Sequence, residues 1–158
     1  MRHYNRTTRF FAAMLGGGGF VGMALVVFMC VKLIQQSVLV AMLIAALGAL
    51  FAWAGLTGVR LWQGTRYGRK WAVILFASQM PVLAIPGFKY QWFTGAPFGP
   101  VLSFGGSTTN VGATINLGAN AEFFVGSGMA EWAIGLNLFA AIAVVLLMRA
   151  NRSFNTAP

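Results

Sequence analysis

Acidic side chains are almost missing from this chain. Its 158 residues include two, Glu122 and Glu131, against eleven lysines and arginines, with a single histidine, His3, and a single cysteine, Cys30. These shortages exclude most chemistry. Carboxylate pairs, nucleophile–base pairs and metal clusters all need titratable groups within reach of one another, and nothing in the spacing brings the two glutamates together. A lone cysteine closes no intramolecular disulfide and makes no zinc site. Its apolar setting (Phe28, Met29, Val31) marks a packed thiol. The expectation is a protein that is not an enzyme, with no catalytic residue, no metal ligand and no cofactor. Two four-helix membrane families also fall away. The disulfide-forming quinone oxidoreductases need paired cysteines, and the small multidrug exporters need a glutamate inside helix one.

Charge as a whole is scarce, at 8% of residues, where a soluble domain carries about 25%. Hydrophobic residues make up 58% and the mean hydropathy is +0.75. So large a deficit implies a surface that does not face water, and the length suits one integral membrane domain over 1–158. A net charge of +9 would suggest nucleic acid in a soluble protein. Here the basic residues fall between apolar segments, with no basic stripe interleaved with aromatics, so nucleic acid is not an expected partner.

Four apolar segments stand out, at about 10–31, 38–59, 71–87 and 131–148. A hydrocarbon core needs about 20 helical residues, with a range of about 17–25, and lipid offers no partner for free backbone groups. All four are therefore expected to be membrane-spanning helices in an up-down bundle. The basic start "MRHYNRTTR" resembles a signal peptide, but the apolar stretch is too long and no small-x-small cleavage site follows. Nine basic residues (Arg2, Arg6, Arg9, Arg60, Arg66, Arg69, Lys70, Arg149, Arg152) fall on one side of these spans and two (Lys32, Lys89) on the other. The nine-charge side is expected to be cytoplasmic, with both termini inside. Compact loops and few lysines point to a bacterial inner membrane.

One long loop remains, 88–130, on the extracytoplasmic side. Within it, "VGATINLGANAEFFV" alternates apolar and polar residues from Val111 to Val125, the pattern of a half-buried strand. Breaking it at 118–120 sets Leu117 opposite Ala121, Ile115 opposite Phe123 and Ala113 opposite Val125, so that the apolar faces coincide. An earlier strand, 100–104, pairs across "GGSTTN", with Phe104 facing Val111. The expected fold class is thus all-α, a four-helix transmembrane bundle, with a small antiparallel β-meander in the loop between helices three and four. Its apolar face (Ala113, Ile115, Leu117, Phe123, Val125) is the candidate interaction surface, since an isolated hairpin is marginal in water.

No charged residue lies deep in a span, which argues against ion-coupled transport. The deep polar candidates are Gln79, ahead of Pro81 at a kinked helix end, and Asn137, between Ala133 and Ala140. Their amides are read as a candidate intramembrane pair. Glu131 is read as opening helix four. Small residues form stripes that let helices approach closely in lipid: Ala12, Gly16 and Gly19 in helix one, and Ala41, Ala45, Gly48, Ala52 and Gly55 in helix two. The run "GGGG" at 16–19 fits close packing or a local break. The functional expectation is a non-enzymatic accessory protein or complex subunit, acting through helix packing and an outer β cap. Its partners are membrane lipid and either another membrane protein or further copies of itself. The alternative is a small oligomeric channel or carrier for a neutral or lipidic solute.

Overall fold

The computed structural model describes residues 6–33, 38–105, 108–115, 118–125 and 132–155. They contain four helices and a six-stranded antiparallel sheet, divided between two compact units, 1–72 and 73–158. This overturns the expected all-α four-helix transmembrane bundle. Among the described residues two helices, not four, are long and apolar enough to cross a membrane.

The first unit is a helical hairpin of α1 (Arg6–Leu33) and α2 (Val38–Trp62). Its seam is built on glycine. A Cβ on Gly19 would come within 2.7 Å of Gly55 Cα and 2.8 Å of Phe51 O, and one on Gly58 would come within 2.9 Å of Ala12 O. Backbone lies against backbone at both levels, which only a missing side chain permits. Ala12, Leu15 and Val26 from α1 and Phe51, Ala54 and Leu61 from α2 fill the same seam. The "GGGG" run stays helical throughout, with Gly16 and Gly19 buried. On α2 the seam runs through Gly48, Phe51, Gly55 and Gly58 rather than through Ala45, which is exposed.

The hairpin ends in a tight corner. Gly64, at φ 78°, lets the chain close α2: Gly64 N–H donates to Leu61 O at 3.1 Å and Thr65 N–H to Arg60 O at 3.1 Å. This pair of bonds satisfies the last carbonyls of a helix. Thr65 then caps α3 (Arg66–Ser78), its hydroxyl oxygen accepting from Gly68 N–H at 3.0 Å.

The second unit holds the end of α3, the strands β1 (Pro81–Ile85), β2 (Phe88–Gly95), β3 (Phe98–Gly105), β4 (Thr108–Ile115), β5 (Gly118–Val125) and β6 (Trp132–Leu136), and α4 (Leu138–Asn155). The strand order is β4-β3-β6-β1-β2-β5. Phe88 faces Val125, Gly95 faces Gly118, Phe98 faces Ile115 and Gly105 faces Thr108. These pairs belong to one unbroken register. Residues 88–105 and 108–125 are therefore the two sides of a single long ribbon, interrupted at 96–97 without a slip. At the interruption the facing glycines both take left-handed backbone, Gly95 at φ 107° and Gly118 at φ 125°, a conformation that side-chain-bearing residues rarely adopt. The ribbon folds there, and its two halves flank β6 and β1, which pair with each other and complete the sheet.

Several sequence expectations are corrected here. The third span (71–87) is the last part of α3 followed by β1, and the fourth (131–148) is mostly β6 followed by α4. Helix α4 opens at Leu138, so it does not begin at Glu131, which lies outside the described residues. Strands β4 and β5 do not pair with each other but stand at opposite edges of the sheet, and 118–120, expected as a turn, opens β5. β3 does pair with β4, but Leu102 rather than Phe104 faces Val111, around a two-residue connection at 106–107. Two-residue hairpin loops suit the natural twist of paired strands, and one long register pairs more backbone than the short hairpin at 118–120 would.

The seam makes opposite forecasts for two glycines. Gly58→Leu forces the helices apart and is expected to destabilise by at least about 1–3 kcal/mol. Gly17, which faces open space, is expected to gain up to about 1 kcal/mol as Gly17→Ala. Thermal unfolding in detergent, followed by circular dichroism, checks both signs.

Candidate functional site

The second unit's polar centre lies where helices become strands. β1 and β6 run side by side. α3 enters β1, and β6 leaves into α4. At each passage the backbone changes hydrogen-bonding partner, and groups on both sides must be satisfied. α3 tightens as it ends: Gln79 N–H is shared between Leu75 O at 3.2 Å and Phe76 O at 3.1 Å. Ser78 O would be left over, and Tyr90 O–H donates to it at 2.7 Å.

Gln79 continues the β1–β2 ladder with its side chain. Carrying the register of β1 on β2 four residues back from its first pair, Leu83 with Tyr90, would set position 79 opposite Thr94. The main chain has already turned into helix there, so the amide takes over. Thr94 N–H donates to Gln79 Oε1 at 3.1 Å, and Gln79 Nε2 donates to Thr94 Oγ1 at 3.1 Å. Both residues are almost fully buried. Asn137 occupies the matching position on the other passage. Its N–H donates to Met80 O at 2.8 Å, one step beyond the last β1–β6 pair, Pro81 with Leu136. Its side-chain oxygen accepts from Ala140 N–H at 3.3 Å, capping α4. Phe76 and Phe139, one on each helix, meet edge to face at 6.0 Å.

The two predicted amides thus lie close together, and both border one cavity of about 10 Å³ with Trp92, Phe93, Phe98 and Leu136. Each amide oxygen is taken by another partner, Thr94 N–H or Ala140 N–H. The cavity is at the lower limit for a single water molecule. Ala133, expected on the same helical seam as Asn137, is on strand β6.

The predicted apolar face is distributed differently from expectation. Pairing carries one face across the whole sheet, from Ala113 opposite Pro100, through Ile134 opposite both Leu102 and Leu83, to Tyr90 opposite Phe123. By register, positions 113, 115, 123 and 125 share this face. Leu117 lies outside the described residues. The exposed part of this face is made by Leu102, Phe104, Trp132, Ile134 and Leu136, each at least 40% exposed; the strand at 100–104 is an expected one, whereas β6, with Trp132, Ile134 and Leu136, is not. The signal was present in "FKYQWFT" and "WAIGL", both of which alternate. Among the described residues no group of three His, Cys, Asp or Glu could hold a metal ion. No family model, no curated protein and no solved structure matches this chain.

Two outcomes test this centre. Gln79→Leu strands a buried N–H on Thr94 and is expected to cost about 1–3 kcal/mol. A double-mutant cycle with Thr94→Val should return a coupling of at least about 0.5 kcal/mol. Burial raises the Tyr90 phenol above its ordinary value of 10.0. Because the unfolded phenol ionises first, the contribution of Tyr90 is complete below pH 10 and is lost as pH rises through the folded value. Phenolate absorbance should therefore show one tyrosine titrating late, and Tyr90→Phe should remove it.

Proposed function

We propose that the chain is a non-enzymatic accessory protein or complex subunit of a bacterial inner membrane, held in the bilayer by α1 and α2 and acting through helix packing and its sheet. One observation carries this reading. The most apolar windows of α1 and α2 have mean hydropathies of 2.1 and 1.6, yet only 28% and 39% of their residues are buried. The core helix of a water-soluble fold is mostly covered by its own chain. Here Val21, Leu25, Phe28 and Val31 are each more than half exposed, and lipid is the solvent that suits them. At 1.5 Å per residue, α1 and α2 reach about 42 and 37 Å, enough for a hydrocarbon core of about 30 Å.

α3, with 13 residues, reaches about 20 Å by the same rise and does not cross. The apolar part of α4, Leu138–Arg149, reaches about 18 Å. On this reading α1 and α2 are the two crossings, and the chain leaves the membrane on the side where α3 begins. That side carries Arg6, Arg9, Arg60, Arg66, Arg69 and Lys70 and is cytoplasmic by charge. The sheet is then an inner rather than an outer cap, and both termini remain inside.

Reporter fusions check the arrangement. A reporter that works only in the cytoplasm is expected to be active at 106–107 and after Pro158, and silent at 34–37. Silence at 106–107 would overturn the inner location. The mass of the particle purified in mild detergent tests the role: a hetero-complex is expected, whereas a symmetric ring of this chain alone would favour a channel or carrier.

A further inference from the structure

The sheet exposes a continuous apolar surface that the helical hairpin does not explain. Leu102, Phe104, Val111, Trp132, Ile134 and Leu136 are 40–77% exposed. They lie on neighbouring strands with matching register: Leu102 is opposite both Val111 and Ile134, and Phe104 is opposite Trp132. Their exposed area is on the order of 500–600 Å², at the top of the range for the largest apolar patch on a soluble monomer. We infer that this face lies on the anionic cytoplasmic leaflet of the membrane, with its aromatic and aliphatic side chains in the headgroup boundary.

This rests on the membrane-anchored reading above, and three further observations support lipid as the occupant. The first is charge. The chain carries +9 overall, and within the sheet's own unit Arg149 on α4 is exposed. Negatively charged lipid attracts such segments. The second is the division of polar groups between the two faces. Register sets Lys89, Gln91 and Asn110 on the opposite face, so among the described residues the apolar face carries no charge that would have to be desolvated or that would fix the register of a protein partner. A fluid lipid surface needs no such registration. The third is residue type: Trp132 is amphipathic and half exposed, and tryptophan is enriched at the membrane–water boundary.

The test uses the full chain in vesicles of phosphatidylcholine and phosphatidylglycerol. In a Cys30→Ser background, an environment-sensitive fluorophore is attached through Ile134→Cys or Leu102→Cys on the apolar face, through Asn110→Cys on the opposite face, or through Phe28→Cys on α1. Lipids bearing nitroxides serve as quenchers. The expected result is severalfold stronger quenching at 134 and 102 than at 110, weakened at 134 and 102 but not at 28 when phosphatidylglycerol is omitted. Quenching at 28 with none at 134 or 102 would overturn the docking and leave the anchor standing. Absence of quenching at 28 as well would overturn both. Disulfide capture between copies carrying Val111→Cys, with 134 and 102 unquenched, would replace the lipid surface by a second copy of the chain.

Discussion

Everything in the second unit depends on how the main chain is satisfied as it passes from helix to strand. A helix bonds within itself and a strand bonds to its neighbour, so two adjacent passages leave several donors and acceptors without partners in the protein interior. Gln79 replaces a missing ladder residue with its amide, Tyr90 takes the last carbonyl of α3, and Asn137 closes one ladder and opens a helix. These bonds fix where β1 and β6 begin and end, and hence where the long ribbon can be completed around them. The buried amides are thus connectors between two hydrogen-bonding systems.

The first unit follows a different rule. Its close contacts are steric, set by Gly19 and Gly58, and its outer surface is apolar and largely uncovered. Polar side chains add to these contacts: the Arg9 guanidinium of α1 lies 5.7 Å from the Trp62 ring centroid of α2, and Thr8 and Thr57 are buried. The backbone of each helix bonds within itself, and the absence of side chains at the seam lets the two helices approach. The two units therefore solve the same problem, the saturation of backbone polar groups, in different ways: one within each helix, the other between strands.

Apolar runs of 17 or 18 residues can be read from sequence, but periodicity does not tell a buried strand from a buried helix over a few residues. That ambiguity hid β1 and β6. Pro81 reads as a kink at a helix end, although proline is also at home in the first position of a strand, where it stands in β1. The glycine stripe on α1 was legible because steric packing in a helix is local in sequence. The alternation at 111–125 was also legible, since its period belongs to the segment itself. Its partners were not. Shifting a strand by two residues, or giving it a different neighbour, leaves the same side chains on the same face, so 113 stays with 115, and 123 with 125, under any such change. The choice was decided by "FKYQWFTG", which alternates equally well and offers a longer continuous register.

The strand order has a consequence for synthesis. β6 pairs with both β1 and β3 near the middle of the sheet, yet it is the last strand to leave the ribosome. The ribbon of 88–125 can zip locally from its turn, but β1 lacks its second neighbour until residue 132 and its successors emerge. Contacts of such separation in sequence form late and slowly. During that interval the nascent chain carries an open gap lined by unpaired backbone, which invites pairing with other chains.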